Sequence, residues 1–178
     1  MLSKRHFTIG CVVALAAVAA EAAPALAASS GENVSGTTLS ELSLTAGTGA
    51  LFTTNFSPGN TATATGALTA TDTNSSWTLQ VQDTASSNAG KMKAAATGCT
   101  GSSAAIANPL AVNVTSPLGG VTSAGSVSIS GTNQTVASAS AQPLAANVLT
   151  TNYSQTIPSS EVMLTGCVYS LTATYTLQ

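Results

Sequence analysis

The chain has 178 residues and a formal net charge of −2 at pH 7, and only 6% of its residues are charged. Such a length suits one domain, and so few Lys and Arg residues exclude the clustered positive charge by which proteins bind nucleic acid or anionic lipid. Leu, Ile, Val and Phe are 28 of the 151 residues after position 27 (178 minus 27), which predicts a thin-cored β protein whose strands are covered by Thr and Ser.

The chain begins with the pattern of a secretory signal peptide. Basic residues at positions 4–6 precede an apolar run at 7–20, and Ala25, Leu26 and Ala27 form a small-x-small cleavage site. We therefore expect cleavage after Ala27, export, and no membrane span in the mature chain, because the apolar run is short for a bilayer. Cys11 would be lost with this segment; lipidation of it is disfavoured because the apolar run follows the cysteine.

The exported chain divides into a flexible leader and one domain. Residues 28–38 are rich in Ser, Gly and Asn, as linkers are, and residues 39–178 form a single domain. Beyond position 27 there are two lysines and five acidic residues, so the mature charge is 2 − 5 = −3.

Short strands separated by turn residues follow along the domain. Their alternation and spacing predict an all-β fold, an antiparallel β-sandwich of the Ig-like kind. Only residues 91–97 favour a helical turn or two, ended by Gly98. The predicted strands are 39–44, 51–56, 61–71, 77–82, 110–114, 127–130, 147–151 and 167–177.

Two strands have the clearest alternation. At the carboxyl end, odd-numbered positions from Cys167 to Leu177 are apolar or aromatic and even-numbered positions are mostly Ser or Thr. In the other strand Trp77, Leu79 and Val81 share one face. We expect both faces to pack against a second β layer.

After export two cysteines remain, Cys99 and Cys167. Lone pairs of cysteines usually form a disulfide in an oxidising exterior. A zinc site is the alternative, but two thiols without a histidine supply only half of a ligand shell. We therefore predict a disulfide and no metal.

The residues needed for catalysis are scarce. The one histidine, His6, is lost with the signal peptide, which excludes Ser-His and Cys-His relays. Asp72 and Asp83 flank the Trp77 strand, as the two carboxylates of a glycosidase flank its substrate. We instead expect Asp72 to stabilise a turn and Asp83 to be a solvated residue after the strand. Nucleotide-binding and metalloprotease motifs are absent from the sequence. We predict no enzyme activity and no cofactor.

Two segments carry a family resemblance. Residues 71–73 (TDT) precede Trp77-x-Leu79, and the last strand leads from Tyr169 to residues 174–177 (TYTL). They resemble the two motifs of the WxL domain family, surface modules of Gram-positive bacteria, over residues 64–83 and 157–178. Tyr175 stands where the family normally has Trp, so the chain resembles a divergent member.

The resemblance implies a non-catalytic cell-surface protein that binds cell-wall peptidoglycan, or other surface proteins, without a covalent bond. The implied contact residues are Trp77, Leu79, Tyr169, Tyr175 and Leu177. An equally open interpretation places these side chains in the core, with the two motifs on adjacent strands. The alternative function is a self-associating subunit of an extracellular fibre, pilus or surface layer.

The predicted disulfide is tested by intact mass. The non-reduced exported protein should carry no alkylatable thiol, and two modified thiols would contradict the bridge. Because a Cys99–Cys167 bond closes a loop of 69 residues, reduction should lower the free energy of unfolding by about 4 kcal/mol.

Overall fold

The computed structural model of the chain describes residues 41–47, 49–54, 56–94, 105–164 and 166–178. Within those ranges it contains eleven strands and no helix, which confirms the all-β prediction. No described helix is therefore long and apolar enough to cross a membrane. The predicted signal peptide (1–27), the leader (28–38) and Cys99 lie outside the described residues.

Five strands form the larger sheet, in the order β1-β2-β9-β5-β7. Its centre is the long antiparallel pair β2 and β9, in register from Thr61 opposite Thr156 to Ala70 opposite Asn147, with a register shift before Asp72 opposite Leu144. The bounds are β1 Leu42–Ala46, β2 Thr61–Asp72, β5 Ala111–Thr115, β7 Val127–Ser128 and β9 Leu144–Thr156.

Four strands form the second sheet, in the order β11-β3-β8-β6, and two short strands, β10 and β4, pair beside it. All pairs are antiparallel. The bounds are β3 Trp77–Gln82, β4 Lys93–Ala94, β6 Val121–Ser123, β8 Gln134–Ala139, β10 Tyr169–Ser170 and β11 Thr174–Leu177.

The two main sheets pack face to face around one hydrophobic core, as in an antiparallel β-sandwich. Alternate residues of each strand point inward, because side chains of a strand alternate between its faces. The larger sheet contributes Leu68, Ala70, Val112, Val114 and Leu149, and the four-stranded sheet contributes Trp77, Leu79, Val81, Val136 and Leu177.

Trp77 is a core residue, 2% exposed. Its indole Nε1 donates a hydrogen bond of 2.6 Å to the carbonyl of Gln142, which satisfies the one polar group that burial of the ring would otherwise leave without a partner. The lone indole therefore anchors the start of β3 to the chain between β8 and β9.

Gly90 joins three segments in a space that admits no side chain. Its φ is +80°, and a Cβ there would lie 1.9 Å from the carbonyl oxygen of Ile129. Its carbonyl accepts a hydrogen bond of 2.8 Å from Leu110 N–H, and its N–H donates to Asp83 Oδ2 at 2.8 Å. Glycine is required here because only it tolerates both the φ value and the close approach.

Two predicted elements are wrong. No strand forms in the described part of residues 51–56; Phe52 and Phe56 instead pack ring to ring, with centroids 5.2 Å apart. The expected helical turn at 91–97 is replaced, in its described part, by β4, because Lys93 and Ala94 pair with Ser170 and Tyr169. This cross-strand pairing overrides the local helix preference of alanine.

The predicted terminal strand is interrupted. Residues 169–170 pair with β4, residues 174–177 pair with β3, and residues 171–173 join the two pairs. The alternation is nevertheless retained, since Leu171 and Ala173 are partly buried while Thr172 is exposed. The two family-like motifs are thus adjacent strands, with Tyr175 opposite Val81 rather than Trp77.

A matched pair of leucines tests the core. Leu79→Ala removes a side chain that is fully buried and should cost roughly 3 kcal/mol of unfolding free energy, because it leaves a cavity. Leu51→Ala changes a side chain that is 78% exposed and should shift stability by less than about 0.5 kcal/mol. Urea denaturation followed by Trp77 fluorescence compares them; equal losses would contradict the placement of the core.

Candidate binding site

An open groove of about 1070 Å³ lies at one side of the sandwich. Its floor is the inward face of β2 and β9, and its walls are residues 49–52, 54 and 56 on one side and residues 163–164, 166–173 and 175 on the other. These are the two segments in which the predicted strands fail to form continuously. Because neither segment completes a sheet there, the inner face of the larger sheet stays accessible.

Aromatic side chains are concentrated in this groove. The chain has seven aromatic residues, one Trp, three Tyr and three Phe, of which Phe7 precedes position 27. Of the other six, only Trp77 does not line the groove. The five that do are Phe52, Phe56, Tyr153, Tyr169 and Tyr175, together with Met92 and Met163.

The rings on the outer wall hold one another in place. Phe52 and Phe56 meet edge to face at 5.2 Å and 68°, and the Phe56 ring lies 6.1 Å from that of Tyr169. The hydroxyl of Tyr169 accepts a hydrogen bond of 3.0 Å from Leu164 N–H. This wall is therefore held by contacts between its own segments, with ring faces available to a ligand.

A pair of phenols bridges the two sheets at the groove. The hydroxyls of Tyr153 on β9 and Tyr175 on β11 are 2.8 Å apart, within hydrogen-bond distance. Desolvation raises the pKa of Tyr175 far above the ordinary phenol value, and the neighbouring Tyr153 raises it further through charge repulsion and the hydrogen bond. Tyr175 is thus a neutral phenol at physiological pH.

Gly66 keeps the floor open. A Cβ at this position would lie 2.8 Å from Thr151 Oγ1 and 3.6 Å from Tyr153 Cε2. Glycine in the middle of a strand is intrinsically unfavourable, so its presence marks a close approach of neighbouring groups. Here it lets the side chains of Thr151 and Tyr153 lie across β2.

The structure separates the five predicted contact residues into two groups. Trp77, Leu79 and Leu177 are buried, at 2%, 0% and 7% exposure. These three side chains lie in the core, as the interpretation that places them there expects. Tyr169 and Tyr175 line the groove, so a ligand-contact role remains a prediction for these two.

Sequence reasoning missed the rest of the lining, above all Phe52, Phe56 and Tyr153. The signal available in the sequence was the scarcity of aromatic residues. The structure brings five of them together at one place.

A second cleft of about 430 Å³ adjoins the groove. Ser170, Leu171 and Thr172 line both, so this segment before β11 forms a wall shared by the two spaces. The cleft is otherwise lined by residues 83–85, Lys91, Lys93 and Ala94.

The two aspartates are engaged with the backbone. Asp72 Oδ1 accepts from Asn74 N–H at 2.8 Å, as expected for a turn. Asp83, expected to be solvated, is only 4% exposed, and its oxygens accept from Ala85 and Gly90 N–H groups at 3.0 and 2.8 Å. That expectation is wrong because the carboxylate organises the loop back to Gly90.

Among the described residues no group of three or more His, Cys, Asp and Glu could hold a metal ion.

Cys167 lines the groove and has an interaction partner in the structure. Its predicted partner Cys99 lies outside the described residues, so the Cys99–Cys167 disulfide stays a prediction. The chain matches no protein-family model, no curated protein and no solved structure.

The phenol pair gives a pH prediction. Because the pKa of Tyr175 is higher in the folded chain than the ordinary 10.0, its contribution to stability is complete below that pH and decreases as pH rises above it. Tyr175→Phe should lose about 1 kcal/mol near neutral pH, since Tyr153 loses a hydrogen-bond partner. As pH rises from about 10 to about 11, the free energy of unfolding of this variant should then decline less steeply than that of the unmodified chain. Urea unfolding measures both; parallel declines would refute the buried phenol.

Proposed function

We propose that the chain is a secreted, non-catalytic cell-surface module that binds cell-wall peptidoglycan without a covalent bond, through the aromatic groove. The observation that carries this proposal is the concentration of five of six aromatic side chains on one open groove. Ring faces are suited to stacking against the flat apolar faces of sugar rings. The resemblance of the two end segments to WxL domains supports the same ligand, and the signal-peptide pattern supports export.

The polar groups of the groove fit a carbohydrate. Thr54, Ser170 and Thr172 line it together with the rings and are exposed. Hydroxyl groups both donate and accept hydrogen bonds, so they can pair with sugar hydroxyls of either orientation. A sugar chain is bound by stacking on aromatic rings and by hydrogen bonds to uncharged groups, and the groove offers both.

A second candidate function is a self-associating subunit of a fibre, pilus or surface layer. It is favoured by the end strands of the sheets: β1 and β11 each occupy an outer position, and neither contains a charged residue or proline. Charge and proline usually protect such edges from pairing with another chain. Unprotected edges favour addition of a strand from a second copy.

Co-sedimentation with isolated cell walls tests the first proposal. Residues 28–178 should sediment with the walls, and Phe52→Ala should bind roughly tenfold more weakly, because loss of a stacked ring costs about 1 kcal/mol or more. Leu42→Ala is the matched control, since Leu42 is 55% exposed and does not line the groove.

Thermal unfolding of each variant verifies that the fold is intact. Protein left wholly in the supernatant, with filaments visible by electron microscopy, would reject wall binding and favour the subunit.

A further inference from the structure

Positive charge is confined to one place on the exported chain. Beyond position 27, Lys91 and Lys93 are the only Lys or Arg residues. Both line the second cleft. Met92 and Ala94, which follow them in the chain, are buried, whereas both lysines are partly exposed. The core therefore takes the neighbouring side chains and leaves both lysines at the surface.

The charge on these lysines is available to a ligand. Neither ammonium group makes a hydrogen bond or ion pair with any residue in the described part of the chain. Asp83 lines the same cleft, but both of its oxygens are committed to backbone N–H groups. With two cations and one carboxylate, the cleft has a local charge of +1 on a chain that is otherwise acidic.

The cleft and the groove share one wall. Ser170, Leu171 and Thr172 separate the lysines from the aromatic rings and line both spaces. Ser170 lies directly opposite Lys93 in the β10–β4 pair, and Tyr169 precedes it on the groove side. A ligand lying across residues 170–172 would thus meet rings at one end and ammonium groups at the other.

We propose that the groove and the lysine cleft form a single site for an anionic glycan. An uncharged sugar ring stacks in the aromatic groove, and an acidic group of the same polymer, a carboxylate or a phosphate, binds between Lys91 and Lys93. This inference rests on the proposed wall-binding function and specifies its ligand. Two lysines suffice for one acidic group, whereas nucleic acid and anionic membranes require more clustered positive charge.

Binding of defined soluble probes tests the site. The first probe is a disaccharide of N-acetylglucosamine and N-acetylmuramic acid, with its carboxylate either free or amidated. The second is a glucosylated glycerol-phosphate oligomer. The unmodified chain should bind an acidic probe about tenfold more tightly than the amidated disaccharide, and high salt should reduce this preference. The preferred acidic probe identifies carboxylate or phosphate as the natural group.

Charge variants then locate the preference. Lys91→Gln with Lys93→Gln should abolish it without changing affinity for the amidated probe. Lys91→Arg with Lys93→Arg should retain it. A third variant adds Thr122→Lys and Thr135→Lys to the double glutamine variant; both threonines are exposed on β6 and β8 and lie outside the cleft. It restores net charge elsewhere and should not restore the preference.

The outcomes separate the two proposals. If the chain binds walls and the double glutamine variant still prefers the acidic probe, the lysine site is rejected and wall binding stands. The same conclusion follows if the unmodified chain binds walls with no preference for an acidic probe. If the unmodified chain binds neither walls nor probes, both proposals fail together.

Discussion

The inward face of β2, whose side chains are all small except that of Leu68, determines what the rest of this sandwich can be. Along that face lie Ala62, Ala64, Gly66, Leu68 and Ala70. Where Leu68 and Ala70 face the four-stranded sheet, the core is filled by Trp77 and its neighbours. Around Gly66 nothing on β2 fills the space between the layers. Native cores are packed to nearly crystalline density, so the unfilled space beside Gly66 has to be open to solvent or to a ligand.

The same constraint explains where the aromatic residues lie. Tyr153 on β9 extends across the space above Gly66 and meets Tyr175 of the opposite layer through their hydroxyls. Phe52, Phe56 and Tyr169 form the outer wall. In the filled part of the core, the single tryptophan packs and donates its hydrogen bond. The remaining rings lie around the open space and give the groove its chemical character.

Much of the fold could be predicted from sequence, and the failures have identifiable causes. The strands β2 and β3 alternate strictly and were predicted nearly to the residue. The strand β8 was missed because a register shift between Leu79 and Gln80 leaves both Val136 and Ala137 buried, which destroys the period of two. The strand β9 was predicted too short because Ala146, with φ +53°, interrupts its start, and because residues 152–156 (NYSQT) have no alternation of apolar side chains. Adjacency of the two motif strands was predicted by the interpretation that places them in the core, but the groove depends on Gly66, Phe52 and Phe56, which no local pattern brings together.

The order of the strands along the chain has a consequence for folding. Tyr175 pairs with Val81 and Tyr169 with Ala94, so both pairings join residues separated by 75 positions or more (169 minus 94, and 175 minus 81). Until β11 is available, β3 has no partner on one side, because β11 and β8 are its two neighbours in the sheet. Pairings between distant residues are slow to form. The two sheets are therefore complete only when residues 169–177 are available to pair with β4 and β3.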